Sequence, residues 1–127
     1  AMHEQVGLLA YSPLAQGTLT GKYLGGQMPQ GSRLALFGDG PLMMRYKGDK
    51  TQQAIEMYVN LAKKYEIDPA QLAIQFCNIQ PFVTSTIIGA TTMEQLKTCI
   101  DSVDLDITKE IINDIRSIHK EIPNPAP

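Results

Sequence analysis

The stretch "TSTIIGATTMEQL", residues 84–96, predicts a strand that leads directly into a helix. Its first five residues are mostly β-branched, which is typical of strands, and Gly89 ends the run. Two pairs then have the spacing of a helix-capping box: Thr91 with Glu94, and Thr92 with Gln95. A strand, a glycine and a helix N-terminus can together bind an anion, because free backbone N–H groups and the positive end of the helix dipole meet there.

The composition of the chain indicates one soluble globular domain. Of its 127 residues 43% are hydrophobic and 19% are charged, which is the balance of an ordinary folded protein. The net charge of -2 provides no long-range attraction for nucleic acid or an anionic membrane. No stretch approaches the roughly 18 apolar residues of a membrane span. We therefore expect neither nucleic acid nor a membrane as a partner.

The cysteines and histidines carry no recognisable metal or redox pattern. Cys77 and Cys99 do not form a C-x-x-C pair, and no secretory signal precedes them. They are therefore predicted to be reduced cysteines that pack in the core of a cytoplasmic protein. His3 and His119 lack partners in the sequence, so we expect both on the surface.

A second predicted strand lies near the start of the chain. Residues 1–5 are polar and are treated as a possible tag or linker. The run "VGLLAYSPL", residues 6–14, is short and apolar and stops at a proline, which suits a strand buried on both faces in a parallel sheet. Residues 15–50 contain eight glycines and two prolines, so they are predicted to form one long binding or disordered loop.

Four helices are predicted from the spacing of apolar residues. The first runs from Thr51, and the second has Asp68 as N-cap, Pro69 at its first position and Gln71 as a box-type partner. Thr108 caps the last. The apolar positions are, helix by helix, Ala54, Tyr58, Leu61, Ala62 and Tyr65; Leu72, Ala73 and Phe76; Met93, Leu96, Ile100 and Val103; and Ile111, Ile112, Ile115, Ile118 and Ile122.

The order of these elements indicates an incomplete α/β fold. Two strands separated by helices imply parallel pairing with a right-handed crossover, as in a sheet or barrel. Two strands alone cannot make a sheet that is buried on both faces. The apolar run at residues 6–14 therefore needs neighbouring strands that this chain does not contain.

Two longer motifs carry a resemblance to a known family. "LLAYSPLAQGTLTGKYL" and "PAQLAIQFCNIQPFVTSTIIGATTMEQLKTCIDSV" strongly resemble the C-terminal third of aldo-keto reductases, especially the bacterial Tas-type oxidoreductases and, more distantly, the potassium-channel β-subunits. The resemblance extends from about Gln5 to Pro127. It implies that residues 1–127 are part of a (β/α)8 TIM barrel, with "VGLLAYSPL" as strand seven and "VTSTIIG" as strand eight.

The resemblance also implies a cofactor, since members of the family use NADPH to reduce aldehydes and ketones. Such barrels place a phosphate site in the loops after strands seven and eight. The anion expected beside Gly89 is therefore a phosphate of NADP(H). Tyr11 corresponds to an aromatic residue that stacks on the nicotinamide ring. The turn that wraps the nicotinamide ribose and pyrophosphate corresponds to Ser12, Pro13, Leu14, Ala15, Gln16 and Gly17.

The remaining correspondences concern the phosphates and the adenine. Thr20 and Lys22 match pyrophosphate contacts, and Arg33 matches a loop arginine near the adenosine 2′-phosphate. Gly89, Thr91 and Gln95 match the segment between strand eight and its helix. Cys99 stands where relatives place an asparagine against the adenine, and a thiol is a weak donor and acceptor, so that hydrogen bond is expected to be lost or replaced by simple contact.

Each of these assignments has a simpler alternative. Tyr11 can be an ordinary aromatic residue at a strand end, and Lys22 and Arg33 can be solvated loop charges, as most surface cations are. Gly89 is needed for the sharp turn from strand to helix in either case.

The family's catalytic tyrosine, lysine, aspartate and histidine come from earlier parts of the barrel, and none maps onto this sequence. An aldehyde or ketone is therefore expected as substrate only in the full-length protein. Three interpretations stay open: the C-terminal part of an aldo-keto reductase, a self-standing nucleotide-binding module without catalysis, or an interaction protein whose exposed strands dock onto a partner. The unpaired strand edges predict that the isolated chain forms a homo-oligomer.

Overall fold

A computed structural model describes residues 1–38 and 40–126, the side chain of residue 42 excepted. Asp39, inside the predicted loop, and Pro127, the last residue of the predicted barrel part, lie outside the described residues. The described chain forms two strands and six α-helices: β1 (Leu8–Tyr11), α1 (Arg33–Phe37), α2 (Pro41–Met44), α3 (Asp49–Lys64), α4 (Pro69–Asn78), β2 (Val83–Ile87), α5 (Met93–Asp101) and α6 (Lys109–Glu121). Short 3-10 helices cover Ala15–Thr20, Leu24–Gly26 and Ser102–Asp104.

The two strands pair in parallel, as the order of the elements predicted. Leu8 lies opposite Val83, and Tyr11 lies opposite Ile87. Just before β1 the strands approach closely, since a Cβ atom on Gly7 would lie 2.6 Å from Oγ1 of Thr84. Because the pairing is parallel, both strands end at the same edge of the sheet.

The strands are more exposed than predicted. Leu9 is 62% exposed, Tyr11 is 72% exposed and Ile87 is 49% exposed. The prediction that β1 is buried on both faces is therefore wrong for this chain by itself. The reason is the size of the sheet, which in the described residues contains β1 and β2 alone.

The predicted loop at residues 15–50 contains ordered turns rather than one long irregular segment. Ser32 caps α1, because its hydroxyl accepts a hydrogen bond from the N–H of Ala35. Tyr23 and Met43 are buried, so the segment packs onto the rest of the chain. Helices of four or five residues are shorter than the window in which a helical period can be recognised, which is why the glycine-rich sequence hid them.

The capping residues at α4 and α6 are confirmed. The side chain of Asp68 accepts from the N–H groups of Ala70 and Gln71, with Pro69 at the first helical position. The side chain of Thr108 caps α6. Gln71 is not a box-type partner: its amide donates to the carbonyl oxygen of Thr98 at 3.3 Å and so ties α4 to α5.

The core lies among α3, α4 and α6 rather than against the sheet. Its buried members are Leu61, Ala62, Leu72, Ile111, Ile115 and Ile118. Full burial of one large aliphatic side chain stabilises a fold by about 1.5–3 kcal/mol, so this cluster supplies the main favourable term for the helices. None of the helices in the described part of the chain is long and apolar enough to cross a membrane.

Helix α5 buries a different face from the predicted one. Met93, Ile100 and Val103 are 78%, 55% and 62% exposed, whereas Cys99 and the adjoining Ser102 are buried. The prediction placed Met93, Leu96, Ile100 and Val103 inside, but only Leu96 among them is even half-buried.

A polar cluster joins the end of α3 to α6. Lys64 Nζ and the hydroxyl of Tyr65 both donate to Oδ2 of Asp114 at 2.8 Å. The Lys64 ammonium also lies 4.7 Å from the centre of the Tyr65 ring. These two hydrogen bonds hold the pKa of the Asp114 carboxyl below its usual value. The hydrogen bond to Asp114, followed by the one that Lys64 Nζ donates to the Tyr65 hydroxyl at 3.3 Å, raises the pKa of Lys64.

The cluster predicts a specific loss of stability in acid. A carboxyl with a lowered pKa in the folded state stabilises the fold above its unfolded pKa and loses this effect as the pH falls through its folded pKa. Unfolding free energy should therefore fall as the pH drops below about 3.8. The decrease should be shallower for Asp114→Asn, which has no carboxyl to protonate.

Urea unfolding at several pH values between 7 and 2 measures this effect. The matched control is Asp106→Asn, which removes an exposed carboxylate next to the start of α6. Parallel pH profiles for the wild type and Asp114→Asn would contradict the assignment.

Candidate functional site

The turn that follows β1 has an unusual backbone. Ser12, Ala15 and Gln16 have φ values of 56°, 48° and 60°, in the left-handed region that side chains disfavour. Each costs about 1–2 kcal/mol, and such strain concentrates at binding and catalytic sites. Hydrogen bonds from the N–H of Ala15 to Ser12 O and from the N–H of Gly17 to Leu14 O, at 2.9 and 2.8 Å, close the turn. Pro13, Leu14 and Ala15 are half-buried within it.

Lys22 lies directly against this turn at Gly17. A Cβ atom on Gly17 would lie 2.9 Å from Cε and 3.0 Å from Nζ of Lys22, so the absence of a side chain makes room for the lysine. The ammonium also lies 5.2 Å from the centre of the Tyr23 ring. Thr20 supports the arrangement: its hydroxyl donates to Gly17 O at 2.8 Å and accepts from the Lys22 N–H at 3.4 Å.

Arg33 reaches the neighbouring residue of the same turn. Its Nη1 donates to Oε1 of Gln16, and Nε2 of Gln16 donates to Oγ of Ser12 at 3.1 Å. The structure therefore brings two cations onto consecutive residues, with Lys22 at Gly17 and Arg33 at Gln16. A turn contacted by two cations is suited to an anionic ligand.

Two residues that were not predicted from the sequence fix the backbone at one of these cations, Arg33. The hydroxyl of Tyr23 accepts from the N–H of Leu34 at 3.4 Å, and that of Ser32 accepts from the N–H of Ala35 at 3.3 Å. Both contacts fix the first turn of α1 and thereby the backbone of Arg33. Ser32 could have been found, because serine directly before a helical segment is a common N-cap. No signal in the sequence marks the contact of Tyr23.

Tyr11, the last residue of β1, presents an open aromatic surface. It is the most exposed residue of that strand, and the register places it opposite Ile87. The segment after β2 therefore starts beside Tyr11. A planar ligand can stack on an exposed ring of this kind.

The segment between β2 and α5 is also open. A Cβ atom on Gly89 would meet nothing within 4 Å, so a ligand can approach the backbone there. Thr92 caps α5 and accepts from the N–H of Gln95 at 3.2 Å. The Gln95 side chain does not close the expected box with Thr92. Its Oε1 instead accepts from the N–H and the hydroxyl of Thr91 at 3.0 and 3.1 Å.

The first turn of α5 has both favourable and unfavourable features for an anion. The first amides of a helix have no partners within the helix, so they can donate to a ligand. Glu94 lies in the same turn, and its carboxylate already complements the positive end of the helix dipole. An anion at this position therefore interacts best near Gly89 and Thr91, ahead of the acidic side chain.

Cys99 is the buried residue of α5. Its residue is 5% exposed and lines a cavity of about 590 Å³ together with Thr86, Ile74 and Val103. Burial, with a smaller contribution from Asp68, raises the pKa of the Cys99 thiol. Burial likewise raises the pKa of the Cys77 thiol. Both cysteines are free thiols.

The positive charges of the arrangement suit an anionic ligand. Lys22 and Arg33 meet at the turn after β1, and the Gly89–Gln95 segment follows β2 at the same edge of the sheet. Within residues 1–38 and 40–126, no three His, Cys, Asp or Glu side chains are placed to hold a metal ion.

Comparison with known proteins agrees with the fold. Residues 1–120 match the Aldo/keto reductase family. The chain is 47% identical over all 127 residues to Protein tas of Escherichia coli (strain K12), covering 36% of that protein. It is 35% identical over 120 residues to a probable voltage-gated potassium channel subunit beta of Oryza sativa subsp. japonica, with 93% of this chain and 37% of the relative covered.

An L-glyceraldehyde 3-phosphate reductase of Escherichia coli (strain K12) is 34% identical over 101 residues, which are 78% of this chain and 29% of the enzyme. The chain thus spans only about a third of the length of these relatives. The resemblance predicted from the two motifs is confirmed, as is the α/β fold class with its parallel strands. With nearly the whole chain matched, this protein belongs to the aldo/keto reductase family.

Proposed function

We propose that this chain forms the dinucleotide-binding part of an NADPH-dependent aldo-keto reductase. The observation that carries the proposal is the meeting of Lys22 and Arg33 on consecutive residues of the turn after β1. Two cations beside a strained turn, at the edge where both parallel strands end, form a site for a ligand with several phosphates. The family to which the chain belongs supports a nicotinamide dinucleotide as that ligand.

The cations suit different phosphate groups. Lys22 carries a compact charge against the backbone of Gly17, which suits the pyrophosphate that every nicotinamide dinucleotide carries. Arg33 has a planar guanidinium that can bind a phosphate with two parallel hydrogen bonds. We assign it to the 2′-phosphate that distinguishes NADPH from NADH.

The other residues of the site suit the remaining parts of the cofactor. The exposed ring of Tyr11 would stack on the nicotinamide, and residues 12–17 would hold the adjoining ribose. The open backbone at Gly89 and the first turn of α5 would approach the adenosine side. The bound cofactor supplies a hydride for carbonyl reduction, and a reductase among the relatives supports this reaction class.

The proton donor for carbonyl reduction is proposed to lie outside this chain. Tyr65 contacts both a lysine and an aspartate, which superficially suits an acid catalyst. Burial and the hydrogen bond to Asp114 raise its pKa, however. A general acid works best with a pKa near the working pH, so this cluster is better explained as a structural link between α3 and α6. Aldehydes and ketones are thus proposed as substrates of the full-length protein.

The exposed strands favour a second property, self-association of the isolated chain. Leu8, Leu9 and Ile87 are exposed on strands that each have one unpaired edge among the described residues. Thr86 Oγ1 is buried without a hydrogen-bond partner among the same residues. Burial of three such apolar side chains is worth about 4.5–9 kcal/mol, which is comparable with the total stability of a domain. We propose a homo-oligomer joined through strand edges or exchanged helices. This property also supports the alternative of a non-catalytic interaction module.

The isolated chain should show no aldehyde reductase activity. The reason is that the acid that protonates the carbonyl oxygen is proposed to lie outside this chain. Oxidation of NADPH in the presence of nitrobenzaldehyde, followed at 340 nm, measures it, with Tyr65→Phe as a control that should behave like the wild type. Turnover above buffer that disappears on mutating a residue of this chain would refute the assignment.

Arg33→Ala should remove most of the preference for NADPH over NADH. A charge-assisted contact is worth about 1.5–3 kcal/mol, which corresponds to about tenfold to a hundredfold in affinity. Lys22→Ala should lower the affinities for NADPH and NADH by the same factor, because both cofactors carry the pyrophosphate. Calorimetric titration with each cofactor measures the two affinities.

The matched control for charge removal is Arg116→Ala, which deletes an exposed arginine on α6. It should leave both affinities unchanged. An unaltered cofactor preference in Arg33→Ala would show that Arg33 is a solvated loop charge.

Light scattering at micromolar concentration should show an oligomer of the isolated chain, most simply a dimer. Leu9→Lys adds a charge to the exposed surface of β1 and should shift the population towards monomer. Leu36→Lys is the control, because it changes an equally exposed apolar residue on α1, away from the strands. A compact wild-type monomer that unfolds cooperatively would overturn the proposal.

A further inference from the structure

Both the nitrogen and the oxygen of the Gln16 side-chain amide make hydrogen bonds. Its Nε2 donates to Oγ of Ser12 at 3.1 Å, and its Oε1 accepts from Nη1 of Arg33. Ser12 directly follows β1, whereas Arg33 begins α1, 17 residues further along the chain than Gln16. One side chain thus links the end of the strand to the cation of the distant loop.

The partners leave only one orientation for this amide. A guanidinium carries donors only, so the oxygen of the Gln16 amide must face Arg33 and the nitrogen must face Ser12. The contact occupies one of the five N–H donors of the guanidinium. The other four remain for a phosphate, so a bound Arg33 need not leave Gln16.

The backbone at this position makes a long side chain unexpected. Gln16 adopts φ 60° and ψ 21°, a conformation in which glycine or asparagine is the usual residue. Glutamine is not favoured by this backbone conformation. Its extra methylene compared with asparagine gives the reach that spans Ser12 and Arg33, which indicates a role for the side chain.

The first turn of α1 cannot by itself place the guanidinium. Ser32 and Tyr23 fix the backbone through the N–H groups of Ala35 and Leu34. The Arg33 side chain extends from that point through several rotatable bonds and is exposed. Gln16 is the contact that selects one direction, towards the end of β1.

We propose that Gln16 is a positioning residue for cofactor selection, which orients the Arg33 guanidinium so that it can bind the 2′-phosphate of NADPH. This inference rests on the proposed function and gives Gln16 a specific role within it. Gln16 itself contributes little to phosphate affinity. It reduces the conformational freedom that Arg33 loses on binding, and so increases the preference for the phosphorylated cofactor.

The test compares four forms of the chain: wild type, Gln16→Asn, Arg33→Ala and the double variant. Asparagine suits the left-handed backbone, so Gln16→Asn should keep the turn while its shorter side chain cannot bridge both partners. The quantity measured is the ratio of the NADH and NADPH dissociation constants. We expect Gln16→Asn to lower this ratio about twofold to tenfold, and to change it less than about twofold when Arg33 is already alanine.

A matched control shortens another bridging glutamine. Gln75, on α4, donates from its side-chain amide to the carbonyl oxygens of Val103 and Leu105 at 3.4 and 3.1 Å. Gln75→Asn should alter stability without changing the cofactor ratio. A second readout needs no ligand: the order parameter of the Arg33 Nε–H bond, measured by ¹⁵N relaxation, should fall in Gln16→Asn and stay unchanged in Gln75→Asn.

The outcomes separate the inference from the function on which it rests. If Arg33→Ala abolishes the NADPH preference but Gln16→Asn leaves it intact, the proposed function holds and the role of Gln16 is refuted. If Gln16→Asn lowers the affinities for both cofactors by the same factor, Gln16 only stabilises the turn. That result also refutes the inference. Equal affinity of the wild type for NADH and NADPH, or no binding of either, would overturn the assignment of the 2′-phosphate and this inference together.

Discussion

Parallel pairing of β1 with β2 is the constraint on which the rest of the structure depends. The register sets Tyr11 opposite Ile87, so the turn after β1 and the Gly89 segment start at one edge of the sheet. An antiparallel pair would send these segments to opposite ends. The close approach of Gly7 to Thr84 secures the start of the pairing, since any side chain at residue 7 would collide with the threonine. The intervening helices are the crossover that parallel strands require.

The division between a buried helical core and an open sheet explains the mixed success of sequence-based prediction. The caps at Asp68 and Thr108 were predictable, because a cap depends on local chemistry between a side chain and backbone amides two or three residues away. The buried face of α5 was not, because hydrophobic spacing predicts which side of a helix is apolar but cannot tell whether a partner covers it. Ile100 and Val103 illustrate the point, since both are apolar and both are exposed.

The candidate site also has features that were predictable from the sequence and features that were not. The strand ends and the glycine before α5 were predictable from sequence, because strand, glycine and cap have local signals. The meeting of Arg33 with Gln16 was not, since two residues far apart in a glycine-rich segment share no period or motif. The resemblance to a family placed both residues near one cofactor, yet only the folded loop shows that they contact each other and that Ser12 joins them.

Different interactions therefore fix the sheet and the cations of the site. Strand pairing involves several backbone hydrogen bonds at once and fixes where a ligand can lie. The positions of Lys22 and Arg33 depend instead on a few side-chain contacts of Thr20, Tyr23 and Gln16, each worth about 0.5–1.5 kcal/mol. Single contacts of this kind are easier to change by substitution than the strand register is. In the proposed complex the sheet would set the location of the ligand, and the loop between β1 and α3 would set which anionic groups it favours.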